Sequence, residues 1–144
     1  KGELKMASEF EAFLKENKKT KKNTYYAASK NFVDKDGNPL KWEIRPITTR
    51  QNDEITENCM KTVPIPGKPR QFRRQLSEIQ YSRKLVVASI VKPDLNNKQL
   101  QDSYGVMKPE DLVVEMIDNA GEFNALIQFI NEFNGFTTLQ EDGD

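Results

Sequence analysis

The sequence predicts an α+β protein, a mostly helical single domain with an antiparallel β-hairpin near its N-terminus. Three observations predict it. The stretch Phe32–Ile44 reads FVDKDGNPLKWEI, in which Leu40, Trp42 and Ile44 alternate with charged residues behind an Asp36-Gly37-Asn38 turn. From Thr48 onward, apolar residues recur at helical spacing between caps, prolines and glycines. The length, 144 residues, is that of one domain with a modest core, and no internal repeat divides it.

The domain is expected over residues 8–136. Residues 1–7 are read as a disordered start, with Met6 the native initiator and Lys1–Lys5 a remnant of cloning. Residues 137–144 are read as a flexible acidic tail. Ser8 caps a predicted helix over Glu9–Asn17, whose Phe10, Phe13 and Leu14 form one stripe. Lys18–Lys22 reads as a charged linker. Strands are predicted at Tyr25–Val33 and Leu40–Ile47, joined by the turn, where Gly and Asn tolerate positive φ. Trp42 is read as a core anchor rather than a stacking platform for a ligand.

Thr48 or Thr49 caps a helix running to about Lys61, and Thr48 with Gln51 fits a capping box. Pro64, Pro66 and Pro69 then enforce an extended loop, preceded by a short strand at Thr62–Val63. A helix of about Ser77–Val91 follows, closed by Pro93. Asn96 or Asn97 caps a short helix to Tyr104, and Gly105 suits the left-handed position after it. Pro109 opens a helix to Ile117. A break at Asn119–Gly121 precedes the last helix, about Glu122–Asn134, which Gly135 ends.

Composition narrows the function. Hydrophobic residues make up 36% and charged residues 31%, a balance expected of a soluble protein. No apolar run approaches the ~20 residues that cross a bilayer, and the start has no apolar centre of the secretory kind. The single cysteine, Cys59, fits a reducing compartment. The absence of histidine removes Ser-His-Asp and Cys-His catalysis and the commonest transition-metal ligand. Cys59 reads as a small core residue in mid-helix. Pro66-Gly67-Lys68-Pro69 lacks the spacing of a phosphate loop. Asp34-Lys35-Asp36-Gly37 lacks the later glutamate of a calcium loop. A carboxylate-only enzyme would leave no signature of spacing. No enzyme activity, cofactor or metal is expected.

Three features point to partners. Residues 1–108 hold all 22 basic residues and 13 acidic ones, an excess of nine, whereas Pro109–Asp144 holds nine acidic residues and no basic one. Such ends either neutralise each other within one molecule or draw copies together head to tail. Next, Lys68, Arg70, Arg73 and Arg74 surround Phe72 and would serve a nucleic-acid-binding alternative. A helix-turn-helix reading of Lys98–Ile117 fails, because its second helix carries Glu110, Asp111 and Glu115 and no positive charge. Finally, the last helix carries Phe123, Leu126, Ile127 and Ile130 on one stripe, widened by Phe129, Phe133 and then Phe136. That stripe exceeds an ordinary core face: either the helix is simply well buried, or part of it packs on the core and part docks a partner.

The chain resembles the XkdN-like tail assembly chaperones of phages and prophages of Gram-positive bacteria. The resemblance runs from about Tyr25 to Phe136. It rests on Ala28-Ser29-Lys30 with Phe32, Asp36-Gly37-Asn38-Pro39, Trp42-Glu43-Ile44, Cys59, Val63–Lys68, Pro93–Asn96, Leu100–Met107 and Asn134-Gly135-Phe136. The run LQDSYGVM is its most specific piece. Ser89 stands where a second cysteine is expected, Arg70–Arg74 is more basic than usual, and Asp118–Phe123 departs from the usual turn. The resemblance implies a non-enzymatic factor, similar to those made in a short and a frameshifted long form. Such a factor coats the tape measure protein, keeps it soluble and helps recruit tail-tube subunits. It also implies a place in the host cytoplasm and absence from the finished virion. It brings no map of binding residues; Phe129, Phe133 and Phe136 are the client-binding candidates read from the sequence itself.

Overall fold

The first hairpin is set by its turn. The Asp34 carboxylate accepts the N–H groups of Asp36 and Asn38 at 2.9 and 3.0 Å, and Gly37 supplies the positive φ of 84° that the reversal needs. In the computed structural model, which describes residues 8–136, the strands flanking this turn are shorter than expected. β1 (Thr24–Tyr26) pairs antiparallel with β2 (Trp42–Ile44), Tyr25 opposite Glu43. Beyond them only a Val33–Pro39 bridge remains. The ladder breaks because the chain around Ser29 turns aside: the Ser29 hydroxyl and the Lys30 N–H both donate to the Glu122 carboxylate at 2.9 Å. Trp42 and Ile44 are buried as the alternation requires, but Leu40, outside the ladder, is 46% exposed.

The N-terminal helix is also cut short. α1 is helical over residues 8–12 and gives way to one 3-10 turn at Lys15–Asn17. Phe10 and Phe13 face solvent, Phe13 at 86% exposure. Among the described residues nothing covers the stripe of Phe10 and Phe13, so it gains no packing stabilisation.

α2 (Thr49–Asn58) starts with the full capping box. Gln51 N–H donates to Thr48 Oγ1 at 3.1 Å, and Thr48 N–H donates to Gln51 Oε1 at 2.9 Å. The helix ends before Cys59 rather than reaching Lys61, and Cys59 sits at its C-cap instead of mid-helix. There the chain enters a second hairpin, β3 (Met60–Pro64) with β4 (Phe72–Leu76). The expected loop at 64–69 is only its tip. The prolines fit because Pro64 closes β3 and Pro66 and Pro69 lie in the connection. Ile65 N–H donates to Gln71 C=O at 3.0 Å across that connection. Apart from Met60 and Leu76 at its base, and Val63 and Ile65, the hairpin is exposed.

α3 (Glu78–Ser89) stops short of the expected Val91, because Ile90–Lys92 forms β5 against β2. Arg45 N–H donates to Ser89 C=O at 2.8 Å where this pairing begins. The sheet order is therefore β1-β2-β5. The strands are not confined to the N-terminal hairpin, although the α+β class stands. α4 (Lys98–Ser103) is capped by the Asn97 side chain, which accepts Leu100 N–H at 2.9 Å. It closes with Gly105 N–H to Asp102 C=O and Val106 N–H to Gln101 C=O. This is the Schellman pattern, with Gly105 at φ 69°. The Leu100–Met107 run is thus a helix-stop device. α5 (Pro109–Met116) and α6 (Ala120–Phe133) follow, α6 capped by Asn119 two residues earlier than expected.

α3 lies against α2, α5 and α6. Leu85, Val86, Leu112, Val113, Ile117, Leu126 and Ile130 meet Trp42 and Ile44 in one core cluster. Burial of this apolar surface is the main stabilising force.

Candidate functional site

The helical spacing that predicted a wide stripe on α6 divides it between two neighbours. Leu126 and Ile130 are fully buried. Phe129 and Phe133, one helical turn apart, look instead toward β1. Tyr26 stacks on Phe129 with centroids 4.3 Å apart and planes 16° from parallel. Phe133 continues the ribbon at 6.3 Å and 10°. The Lys21 ammonium lies 4.3 Å from the Phe133 ring centre and also donates to Phe133 C=O. Phe129 and Phe133 remain half-buried, while Phe136 is exposed. Phe136 N–H donates to Asn131 C=O at 2.8 Å as the helix closes at Gly135.

All three sequence candidates thus lie at one end of α6, with Phe129 and Phe133 in direct contact. Tyr26 and Lys21 were not singled out from the sequence. Strand alternation held a partial signal: Tyr26 turns inward while its neighbour Tyr25 is exposed.

Both ends of α6 are tied down. Asn134 Oδ1 accepts Ile47 N–H at 2.8 Å, and its Nδ2 donates to Ile130 C=O at 2.9 Å. At the other end Glu122 holds Ser29 and Lys30. The Lys30 N–H and then the Ser29 hydroxyl pull the Glu122 carboxyl below its ordinary value. A lowered carboxylate stabilises the fold above its unfolded pKa and loses that contribution as pH falls through the folded value. Melting temperatures of the wild type and Glu122→Gln should therefore differ above the ordinary carboxylate range and converge as the pH falls through and below the lowered folded value. A gap unchanged across that range would remove Glu122 ionisation from the account.

The basic candidates do not converge. Lys68 and Arg70 lie in the β3–β4 connection. Arg73 stands opposite Val63 and Arg74 opposite Thr62, so alternation sends these neighbours to opposite faces. Arg74 pairs with Glu57 of α2. Cys59 is fully buried, and burial pushes its thiol above the ordinary value, with Lys84 opposing the shift. That state disfavours the nucleophilic thiolate. Among the described residues no group of His, Cys, Asp and Glu side chains is arranged to hold a metal. The shallow groove between α3 and α6 is lined by Ile79, Phe123 and Ile127 with one carboxylate, Glu78, and Arg83.

The fold and its surface define a small α+β domain with two exposed features, an aromatic ribbon at one end of α6 and a projecting basic hairpin. The chain belongs to the phage XkdN-like tail assembly chaperone protein (TAC) family, whose pattern matches residues 10–144. It is similar to the phage-like element PBSX protein XkdN of Bacillus subtilis (strain 168), with 28% identity over 114 residues, 79% of this chain and 76% of that one. It is also similar to the uncharacterized protein YqbN of the same strain, at 27% identity over 114 residues, 79% and 75% of the two chains. The crystal structure of the protein YqbN shares the fold, with a TM-score of 0.70 at 22% identity over 86% of this chain and 93% of that one. Among the described residues no helix is long and apolar enough to cross a membrane.

Proposed function

We propose that this protein is a non-enzymatic chaperone of tail assembly that binds the tape measure protein, keeps it soluble and helps recruit tail-tube subunits. It works in the cytoplasm of the bacterial host and is left out of the finished virion. Family membership supports the chaperone role. The observation that carries the binding site is the ribbon Tyr26–Phe129–Phe133, with exposed Phe136 three residues past the end of the same helix. A coiled-coil-like client exposes apolar seams before the tube encloses it. Stacked rings already ordered by α6 and β1 can cover such seams with little further loss of side-chain entropy.

Co-expression with the tape measure protein tests both levels. The client should move into the soluble fraction with the wild-type chain and return to the pellet with the Phe133→Ala/Phe136→Ala variant, compared at a temperature where circular dichroism shows the variant folded. A client equally insoluble with and without this chain refutes the chaperone role. A client held soluble by the double variant refutes only the site. The nucleic-acid alternative through Lys68, Arg70, Arg73 and Arg74 draws less support, because the alternation of β4 divides its cations between two faces.

Copies are further proposed to associate weakly head to tail, as monomers in dilute solution that assemble on the client, where repeated contacts add avidity. Part of the charge asymmetry is consumed within one molecule. Lys84 pairs with Glu110 at 3.2 Å, and Glu122 is held by Ser29 and Lys30. Asp111, Glu115, Asp118 and Glu132 remain exposed. Glu141, Asp142 and Asp144 lie outside the described residues.

A further inference from the structure

We propose that the β3–β4 hairpin is a docking arm and that its occupant is the acidic segment 137–144 of a second copy of this chain. The inference rests on the head-to-tail reading and names the two surfaces that would meet.

Charge selects the occupant. Between Met60 and Ser77 the chain carries Lys61, Lys68, Arg70, Arg73 and Arg74 and no acidic residue. Among the described residues, only Arg74 of these five makes an ion pair. Segment 137–144 reads TTLQEDGD, with three carboxylates and no cation. Apolar chemistry agrees. Phe72 is 60% exposed and stands opposite Pro64 on one face of the arm, and the segment brings a single large apolar residue, Leu139. As a third strand with Leu139 on the face of Phe72 and Pro64, the segment alternates, so Asp142 and Asp144 fall on the opposite face, that of Arg73.

The backbone offers a seat as well. The arm is a two-stranded sheet, so β4 presents an outer edge, and its five residues include no proline. Such an edge accepts an extended peptide as a third strand. Segment 137–144 contains no proline either, and five of its residues match the ~17 Å length of β4.

Reach selects a second copy over the chain's own segment. The Asn134 side chain ties the end of α6 to Ile47, just before α2. The arm springs from the other end of α2, ~15 Å further along a ten-residue helix. An arm that continues in line with α2 adds up to ~17 Å and sets its tip beyond the ~27 Å that eight residues span; a chain whose own segment reached the arm would stay monomeric in low salt.

The test uses the full chain in sedimentation at high protein concentration, in ~50 mM and ~500 mM salt. The wild type should self-associate in low salt and dissociate in high salt. Arg70→Glu/Arg73→Glu and Glu141→Lys/Asp142→Lys should each associate about tenfold more weakly in low salt. An equimolar mixture of these two variants should recover wild-type association, because each reversed arm then meets a reversed segment. A mixture as weak as its parents, or variants as strong as the wild type, overturns the proposal. So does an absence of self-association in both buffers, or a DNA gel shift abolished by the arm variant in a chain that stays monomeric. Client solubility, read on the same variants, should fall only by the lost avidity and not be abolished, because the aromatic ribbon is untouched. Its loss already with the wild-type chain would instead mark failure of the chaperone role.

Discussion

Trp42→Ala is expected to cost about 3–5 kcal/mol of folding stability. The indole is 2% exposed on the central strand of β1-β2-β5 and meets the Phe32 ring at 6.2 Å and 59°. Truncation removes the largest side chain of the core and leaves a void that neighbours from the sheet and the helices cannot all close. Against a typical total of about 5–15 kcal/mol, the loss takes a large share. Urea denaturation should show a lower midpoint with an unchanged slope. A loss under ~1 kcal/mol would overturn the core assignment and return Trp42 to the role of a stacking platform.

Leu126→Ala is expected to cost about 2–5 kcal/mol, whereas Phe136→Ala, beyond the end of the same helix, should cost under ~1 kcal/mol. Leu126 is fully buried in the cluster shared with α3 and α5. Phe136 is 38% exposed. The pair separates stability from binding. Leu126→Ala should lower the thermal midpoint and leave client solubility intact at temperatures where the variant stays folded. Phe136→Ala should leave the midpoint and weaken the hold on the client. Equal effects on both readouts would mean that α6 has no division of labour.

The legible parts of the sequence were those whose chemistry is local. Thr48 with Gln51, the Asp36-Gly37-Asn38 turn, Asn97, Gly105 and Pro109 each act within a few residues, so their types and spacing specify the geometry; that the Asp34 carboxylate holds the turn's amides was not read. What escaped was decided at a distance. Ile90 continues the apolar period of α3 through Val86 and reads as helix; its strand identity comes from pairing with Ile44. Of the second hairpin only the short strand at Thr62–Val63, part of β3, was read; its partner β4 stayed hidden because three prolines mark a loop and the strands on either side bury too little to show clean alternation. Phe129, Phe133 and Phe136 were found by helical spacing. That Tyr26 covers one side of Phe129 depends on the meeting of β1 and α6, which no local pattern encodes.

The pairing of β5 with β2 also sets an order of events during synthesis. β2 can join β1 soon after it leaves the ribosome, but its other edge stays open until Lys92 has been added. At ~5–20 residues per second that interval lasts roughly 2–10 s. Throughout it, Trp42-Glu43-Ile44 presents an unpaired edge and an apolar face, the kind of template that recruits unrelated strands. α6, whose Leu126 and Ile130 join Trp42 and Ile44 in the core cluster, is made later still. A chain of a chaperone family therefore spends its own first seconds with an apolar face in need of cover.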